Sequence, residues 1–286
     1  MQTNKPNIGR AFTLMELLVV LATVSILGCL LLPALARTRV QSAASGCLSN
    51  FRQIMVGWCM YKDDNNDILM PNSKPGMSDY QIGWYDPAIV GNEDWYVRDS
   101  NTNANVYTNG TLAPYINYQM GLLRCPADVI PSENGLRVRA RSMSSQIGAI
   151  NNVGFDNANS NGVEYWKELS KGSDLIGLAP KDLFVFVDES FWTMNDGWLQ
   201  LDLIVPDYPD CFAAYHDGAA GISFADGHAE IHRWIGPYRA SNTAPQGILG
   251  VPYQFGVLRP GAVHVTSSGA DPDWVWETQH ASYRVY

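Results

Sequence analysis

The sequence predicts an α+β protein: one long N-terminal helix, its first half transmembrane, packed on a C-terminal antiparallel β-sheet domain with long loops. Three observations predict it. Residues 12–36 form an apolar run that carries a single charge, Glu16. Apolar residues then recur at helical spacing as far as Tyr61. Further on, segments 183–189 and 219–234 combine strand composition with turn signals.

The bulk numbers set the bounds. A chain of 286 residues suffices for a long helix and one globular domain. Its net charge of −9 argues against nucleic acid as a partner, because phosphate binding needs clustered Lys and Arg. Nine Trp and 14 Tyr beside only 16% charged residues suit an extracytoplasmic, β-rich domain. Of the five cysteines, Cys29 lies in the apolar run, where a thiol is a small hydrophobe. Cys47, Cys59, Cys125 and Cys211 are expected outside the cytoplasm, where disulfides persist. No Cys-x-x-Cys pair occurs, which argues against a zinc ribbon and a thioredoxin-like site.

A helix over residues 12–36 is about 37 Å long at ~1.5 Å per residue, enough for a bilayer core of ~30 Å. Lys5 and Arg10 precede it with no acid, so that end is expected to stay cytoplasmic. A secretory signal peptide has a shorter apolar core and a small-x-small cleavage site. A plain anchor explains the length but not Glu16, since a carboxylate there costs at least ~2.5 kcal/mol. Glu16 therefore needs a task and a partner.

The helix is expected to continue past Pro33. Leu35, Val40, Ala43, Ala44, Cys47, Leu48, Phe51, Ile54, Met55 and Trp58 follow an i, i+3, i+4 pattern, weakened locally by Gly46 and Gly57. The polar stretch 62–67 ends it. The Asp/Asn alternation there lacks the Gly and closing Glu of a calcium loop, so it reads as a helix-ending turn.

Residues 70–121 are rich in Gly, Pro, Asn and Tyr and read as loops with short elements. Segments 123–128 and 139–144 are expected to be strand edges, and the Asn-rich 151–162 an exposed loop. Residues 183–189 read as a central strand ending in two acids, Asp188 and Glu189. Asn195-Asp196-Gly197-Trp198 is a turn signal. Residues 219–234 read as a β-hairpin with a tight primed turn at Asp226-Gly227, with His228, Glu230, His232 and Trp234 on one face of its second strand.

The run Arg10-Ala11-Phe12-Thr13-Leu14-Met15-Glu16-Leu17-Leu18 closely resembles the type IV prepilin and pseudopilin signal. The resemblance implies a prepilin peptidase that cuts between Ala11 and Phe12 and N-methylates Phe12. Ala11 departs from the commoner Gly at that place. The resemblance also implies that Glu16, at the fifth mature position, neutralises the new amine of a neighbouring subunit. Removing one partner of such a buried pair costs ~3–5 kcal/mol, which makes Glu16 a register device for assembly. Pro33 occupies a place where many pilin helices carry proline. Further along, His216, nine residues and Asp226-Gly227 match the H-x9-DG pattern of a large bacterial group of prepilin-type proteins. Cys125–128, Arg141–144, Asp188-Glu189, Asn195–197 and Asp271–274 match its other segments. The implied organisation is a leader (1–11), an assembly helix (12–36), its amphipathic continuation (37–62) and an extracytoplasmic domain (63–286) containing the H-x9-DG region (216–227). Cys47 and Cys125 occupy family-typical positions and are the candidate disulfide, although connectivity does not follow from sequence.

Chemistry in the H-x9-DG region has two readings. Asp226-Gly227 is turn chemistry and His216 satisfies a buried backbone group, or His216 reaches the turn and helps hold a cation. His228 and His232 would lie ~13 Å apart on a strand, too far to share a metal. No cofactor is expected otherwise. Some major pseudopilins bind calcium in C-terminal loops, so Asp188, Glu189 and Asp196, with His216, are the metal candidates. The spacing alone does not establish a site. Ser190, His216 and Asp217 lack a nucleophile elbow, so an enzyme is not expected. The implied function is a pseudopilin-like subunit, anchored in the inner membrane and assembling into a type II secretion or type IV pilus-like fibre. Its implied partners are the prepilin peptidase, other pilin-like subunits and an inner-membrane assembly platform. The alternative is a singly anchored envelope module whose aromatic-rich domain holds a glycan or protein partner.

Overall fold

The computed structural model describes residues 13–72, 88–89, 97–148, 166–191, 193–204, 206–236, 265–266 and 271–284. In α1 the side chains of residues 30, 31, 33–37 and 39 lie outside this description. The chain divides into two compact units, Met1–Ser42 and Ala43–Tyr286. The second unit therefore takes the last turns of α1 with it, rather than starting after the helix.

Helix α1 spans Leu14–Asp64. Its start is a capping box. Thr13 Oγ1 accepts from the Glu16 amide at 3.2 Å, and Glu16 Oε2 accepts from the Thr13 amide at 2.8 Å and its hydroxyl at 2.9 Å. The backbone remains helical through Pro33, as expected. Lys62 favours the negative end of the helix dipole. Asn66 and Asp67 then take positive φ (54° and 67°), and the Asp67 amide donates back to the Lys62 carbonyl, which closes the helix.

The expected transmembrane first half is corrected. Among the described residues, no helix is long and apolar enough to cross a membrane.

In the second unit, Cys47, Phe51, Ile54, Met55 and Trp58 form the buried stripe of α1 that the periodicity predicts. They share one core with Ile116, Met143, Val185 and Phe186. The strands are β1 (Pro131–Ser132), β2 (Gly135–Leu136), β3 (Arg141–Ser144), β4 (Phe184–Asp188), β5 (Trp198–Leu199), β6 (Asp207–Tyr208), β7 (Ala219–Phe224), β8 (Ala229–Arg233) and β9 (Val265–Thr266). Five of them make the main sheet, in the order β5-β3-β4-β7-β8, with β4 central as expected. This sheet is not purely antiparallel, a second correction to the expected fold. The chain leaves β4, passes β3 and pairs on its far edge, so β5 runs parallel to β3. The remaining pairs, β3–β4, β4–β7 and β7–β8, are antiparallel.

Both faces of β4 are covered. Val185 and Phe186 pack in the core that contains the α1 stripe. Phe184 and Val187 pack in a second core with Phe212, Ile222 and Trp234. Helix α2 is one turn, Asp99–Thr102. Helix α3, Pro272–Ala281, is capped by Asp271, whose side chain accepts from the Asp273 amide, and Trp276 stacks on Phe184 at 6.0 Å. Segment 123–128 is not a strand edge. A short 3-10 turn at Met120–Leu123 leads into the Cys125-Pro126 turn, and Pro126 has no amide proton for a ladder.

The β7–β8 hairpin forms at the expected place, but its turn is not a primed one. Only Gly227 has positive φ (93°), whereas a type I′ turn needs it at both central residues. The Gly227 amide donates to the Phe224 carbonyl and the Phe224 amide to the His228 carbonyl. Asp226 Oδ1 holds the His228 amide at 3.0 Å.

Candidate functional site

Of the processing residues, Ala11 and Phe12 lie outside the described residues. Glu16 lies in the first turn of α1, fully exposed. Only its Oε2 is engaged by Thr13, and among the described residues Oε1 takes no hydrogen bond. Around it Leu14, Met15, Leu17, Leu18, Val19, Val20 and Leu21 are all exposed. Pro33 lies within the helical backbone of α1.

The H-x9-DG residues do not form one site. His216 precedes β7 and Asp226-Gly227 follows it, so the strand separates them by about 20 Å at ~3.3 Å per residue. The expectation that His216 reaches the turn is therefore corrected. Asp226 pairs locally with His228, whose ring stacks on Phe224 at 4.3 Å. His232 packs against Trp234 and Trp276.

His216 instead meets Cys125, Cys47 and Asp188 in a fully buried cluster. Four elements deliver the four side chains. Cys47 comes from the inward stripe of α1, Cys125 from the turn after the 3-10 segment, Asp188 from the end of β4, and His216 from the tight turn before β7. That turn is set by Asp217 (φ 56°) and Gly218 (φ 80°), and the His216 amide donates to the Ala219 carbonyl. Cys47, Cys125 and Asp188 are 0% exposed and His216 is 4% exposed.

The potential ligand atoms lie within 4.8 Å of one another. Cys47 Sγ is 3.2 Å from Asp188 Oδ2 and 3.8 Å from Cys125 Sγ. His216 Nε2 is 3.3 Å from Cys125 Sγ and 3.7 Å from Asp188 Oδ2. The candidate disulfide partners are thus neighbours, and both are free thiols here. Cys29, Cys59 and Cys211 are also free.

Arg141 fixes this cluster from behind. Its residue pairs directly with Asp188 across β3 and β4. Nε donates to Asp188 Oδ1 at 3.1 Å, Nη2 to Cys47 Sγ at 3.1 Å, and Nη1 to the Leu122 carbonyl. Oδ1 is therefore occupied and Oδ2 is turned to the cluster, where the Gly221 amide donates to it at 3.1 Å. A Cβ on Gly221 would lie 2.5 Å from Phe51 Cε2, 2.7 Å from Cys47 Sγ and 2.8 Å from Asp188 Oδ2, so only glycine leaves room there.

The electrostatics follow from this packing. Burial alone would raise Asp188, but the Arg141 guanidinium and His216 hold it below the usual carboxylate range. Burial disfavours a charged His216, yet hydrogen bonding to Asp188 and Cys47 outweighs it and lifts the imidazole to about 9. Burial also opposes a Cys47 thiolate, but Cys125 and Arg141 bring that thiol below its ordinary value, while burial pushes Cys125 well up.

Among the four metal candidates read from the sequence, Asp188 and His216 come together and Glu189 and Asp196 do not join them. Glu189 packs with Ser142, Thr193 and Arg139, and burial lifts it to about 7. Asp196 Oδ1 accepts from the Trp198 amide. Sequence reasoning missed Arg141 and Gly221 as supports and did not join the two cysteines to the two polar ligands. The available signal was that Cys47 falls on the buried stripe of α1.

No family model, no curated protein and no solved structure matches the chain.

Proposed function

We propose that the chain is a pseudopilin-like structural subunit that joins copies of itself or other pilin-like chains in a fibre through the first turns of α1. In this reading a prepilin peptidase cuts between Ala11 and Phe12 and methylates the new terminus. An inner-membrane assembly platform of a type II secretion or type IV pilus-like machine then adds the subunit, with the globular unit outside the cytoplasm. The role is structural and not enzymatic.

The observation that carries the reading is the apolar surface at the start of α1. Leu14 is 78% exposed and Met15 71%, and the exposed residues 17–21 are consecutive and so ring the helix. An apolar helix surface on all sides needs cover on all sides, which a bundle of neighbouring helices gives and a single groove does not. Glu16 supports the same reading. Its Oε1 is left for a partner while Oε2 caps the helix. The amine of a neighbouring Phe12 is the complementary charge. Part of the aromatic content noted for a sugar-stacking module is spent on packing. Trp58, Trp166, Trp198 and Trp234 are buried in the cores.

Glu16→Gln tests this directly, because glutamine keeps the capping-box acceptor and removes the charge. The variant is expected to be cleaved and exported as usual. Its incorporation into fibres, read by in-cell cross-linking and electron microscopy, is expected to fall ~100-fold or more, as follows from losing one partner of a buried pair. Normal assembly of Glu16→Gln contradicts the reading.

A further inference from the structure

We propose that Cys47, Cys125, Asp188 and His216 bind one structural zinc ion. This inference is independent of the fibre reading and holds or fails without it.

Geometry carries it. In a tetrahedral site the distance between two ligand atoms is about 1.6 times the bond length. Zinc bonds of ~2.3 Å to sulfur and ~2.0–2.1 Å to nitrogen or oxygen therefore require separations of about 3.3–3.8 Å. Four of the six separations are 3.8 Å (sulfur to sulfur), 3.3 Å (Cys125 to His216), 3.7 Å (His216 to Asp188) and 3.2 Å (Asp188 to Cys47). The other two separations are no longer than 4.8 Å, so the side chains close by up to about 1 Å around an ion at the centre. The donor set fits zinc. Two thiolates and an imidazole suit zinc, whereas calcium and magnesium take oxygen.

Charge and support agree with this. Zinc and the buried Arg141 together match the charges of two thiolates and the Asp188 carboxylate, so the loaded site is neutral in a core that could not hold a net charge. Binding displaces both thiol protons and the imidazolium proton to solvent. Arg141 on Oδ1 and the Gly221 amide on Oδ2 orient the carboxylate, as the surroundings of a metal ligand do. Each ligand is buried and all four positions are protein, the closed arrangement of a structural site and not a catalytic one. The ion would tie α1, the Cys125 turn, the central strand and the turn before β7 to one point. Calcium in the acids Asp188, Glu189 and Asp196 is not part of this proposal.

The test uses the full chain isolated under reducing conditions. Elemental analysis is expected to find about one zinc per chain. Chelation is expected to lower the melting temperature, and zinc but not calcium or magnesium to restore it. Cobalt(II) in place of zinc is expected to give a thiolate charge-transfer band and the visible absorption of a tetrahedral ion. Cys125→Ser and His216→Gln should each weaken that spectrum, Arg141→Lys should weaken metal affinity about 10–100-fold, and Cys59→Ser should leave it unchanged. If the ligand variants fail to fold, the wild-type cobalt spectrum still decides. Reduced wild-type chain with no bound zinc and no cobalt–thiolate band overturns the proposal. So does a Cys47–Cys125 disulfide in freshly isolated chain, found by non-reducing peptide mapping.

Discussion

Arg141 is fully buried, stacked over the Phe51 ring at 4.0 Å and hydrogen-bonded to Asp188, Cys47 and the Leu122 carbonyl. Its removal takes the closest counter-charge from the Asp188 carboxylate and leaves only His216. Arg141→Met is expected to lower unfolding free energy by ~3–5 kcal/mol in urea titration. Arg141→Lys should recover only part, because a point charge does not reproduce three directed N–H bonds. None of this was legible from one sequence. Arg141 stood out only as part of a recurring segment, and its partner lies far along the chain. The pairing exists because β3 and β4 run antiparallel in a register that sets Arg141 opposite Asp188. The same holds for His216, whose ligating company depends on where a turn places it.

Local patterns were readable at the level of elements wherever one periodicity decided them. The α1 stripe from Cys47 to Trp58, the helix stop after Lys62, the central strand and the hairpin all follow from spacing and turn residues. The hairpin turn was misread because Asp-Gly serves a primed turn and a bulged type I turn alike, and only the φ of Asp226 separates them. Helix α3 went unread although Asp271-Pro272 is a helix-start signal, a capping acid followed by proline at the first position. The edge strand β5 reads only as a turn because its parallel place beside β3 is set by a crossover. Two glycines separate packing from backbone effects. Gly221→Ala is expected to destabilise by ~1–3 kcal/mol, since its Cβ meets Phe51, Cys47 and Asp188. Gly227→Ala has open space around it and should cost only the left-handed penalty of ~1–2 kcal/mol. Thermal unfolding of the two variants checks the contrast, and metal binding should weaken in the first alone.

Across the whole molecule, the proposed reading gives each of the two units its own task. In the first, the capped start of α1 exposes apolar side chains on every side and one carboxylate oxygen, a surface that copies of a similar helix can cover. The second unit closes its sheet between two cores and gathers two thiols, an imidazole and a carboxylate at one buried point. The apolar run and its lone acid were visible in the sequence. The expectation that this run crosses a membrane is not met among the described residues. Assembly and metal binding are separable, so Glu16→Gln should leave zinc content unchanged and Cys125→Ser should leave leader cleavage unchanged.

The identity of the first residue of the mature polypeptide tests the assembly reading most directly, because Glu16 can meet a neighbour's amine only if that amine lies four residues before it. Intact-mass and N-terminal peptide analysis of the exported chain is expected to find N-methylated Phe12 as the first residue. A mature chain that starts at any other residue contradicts the account.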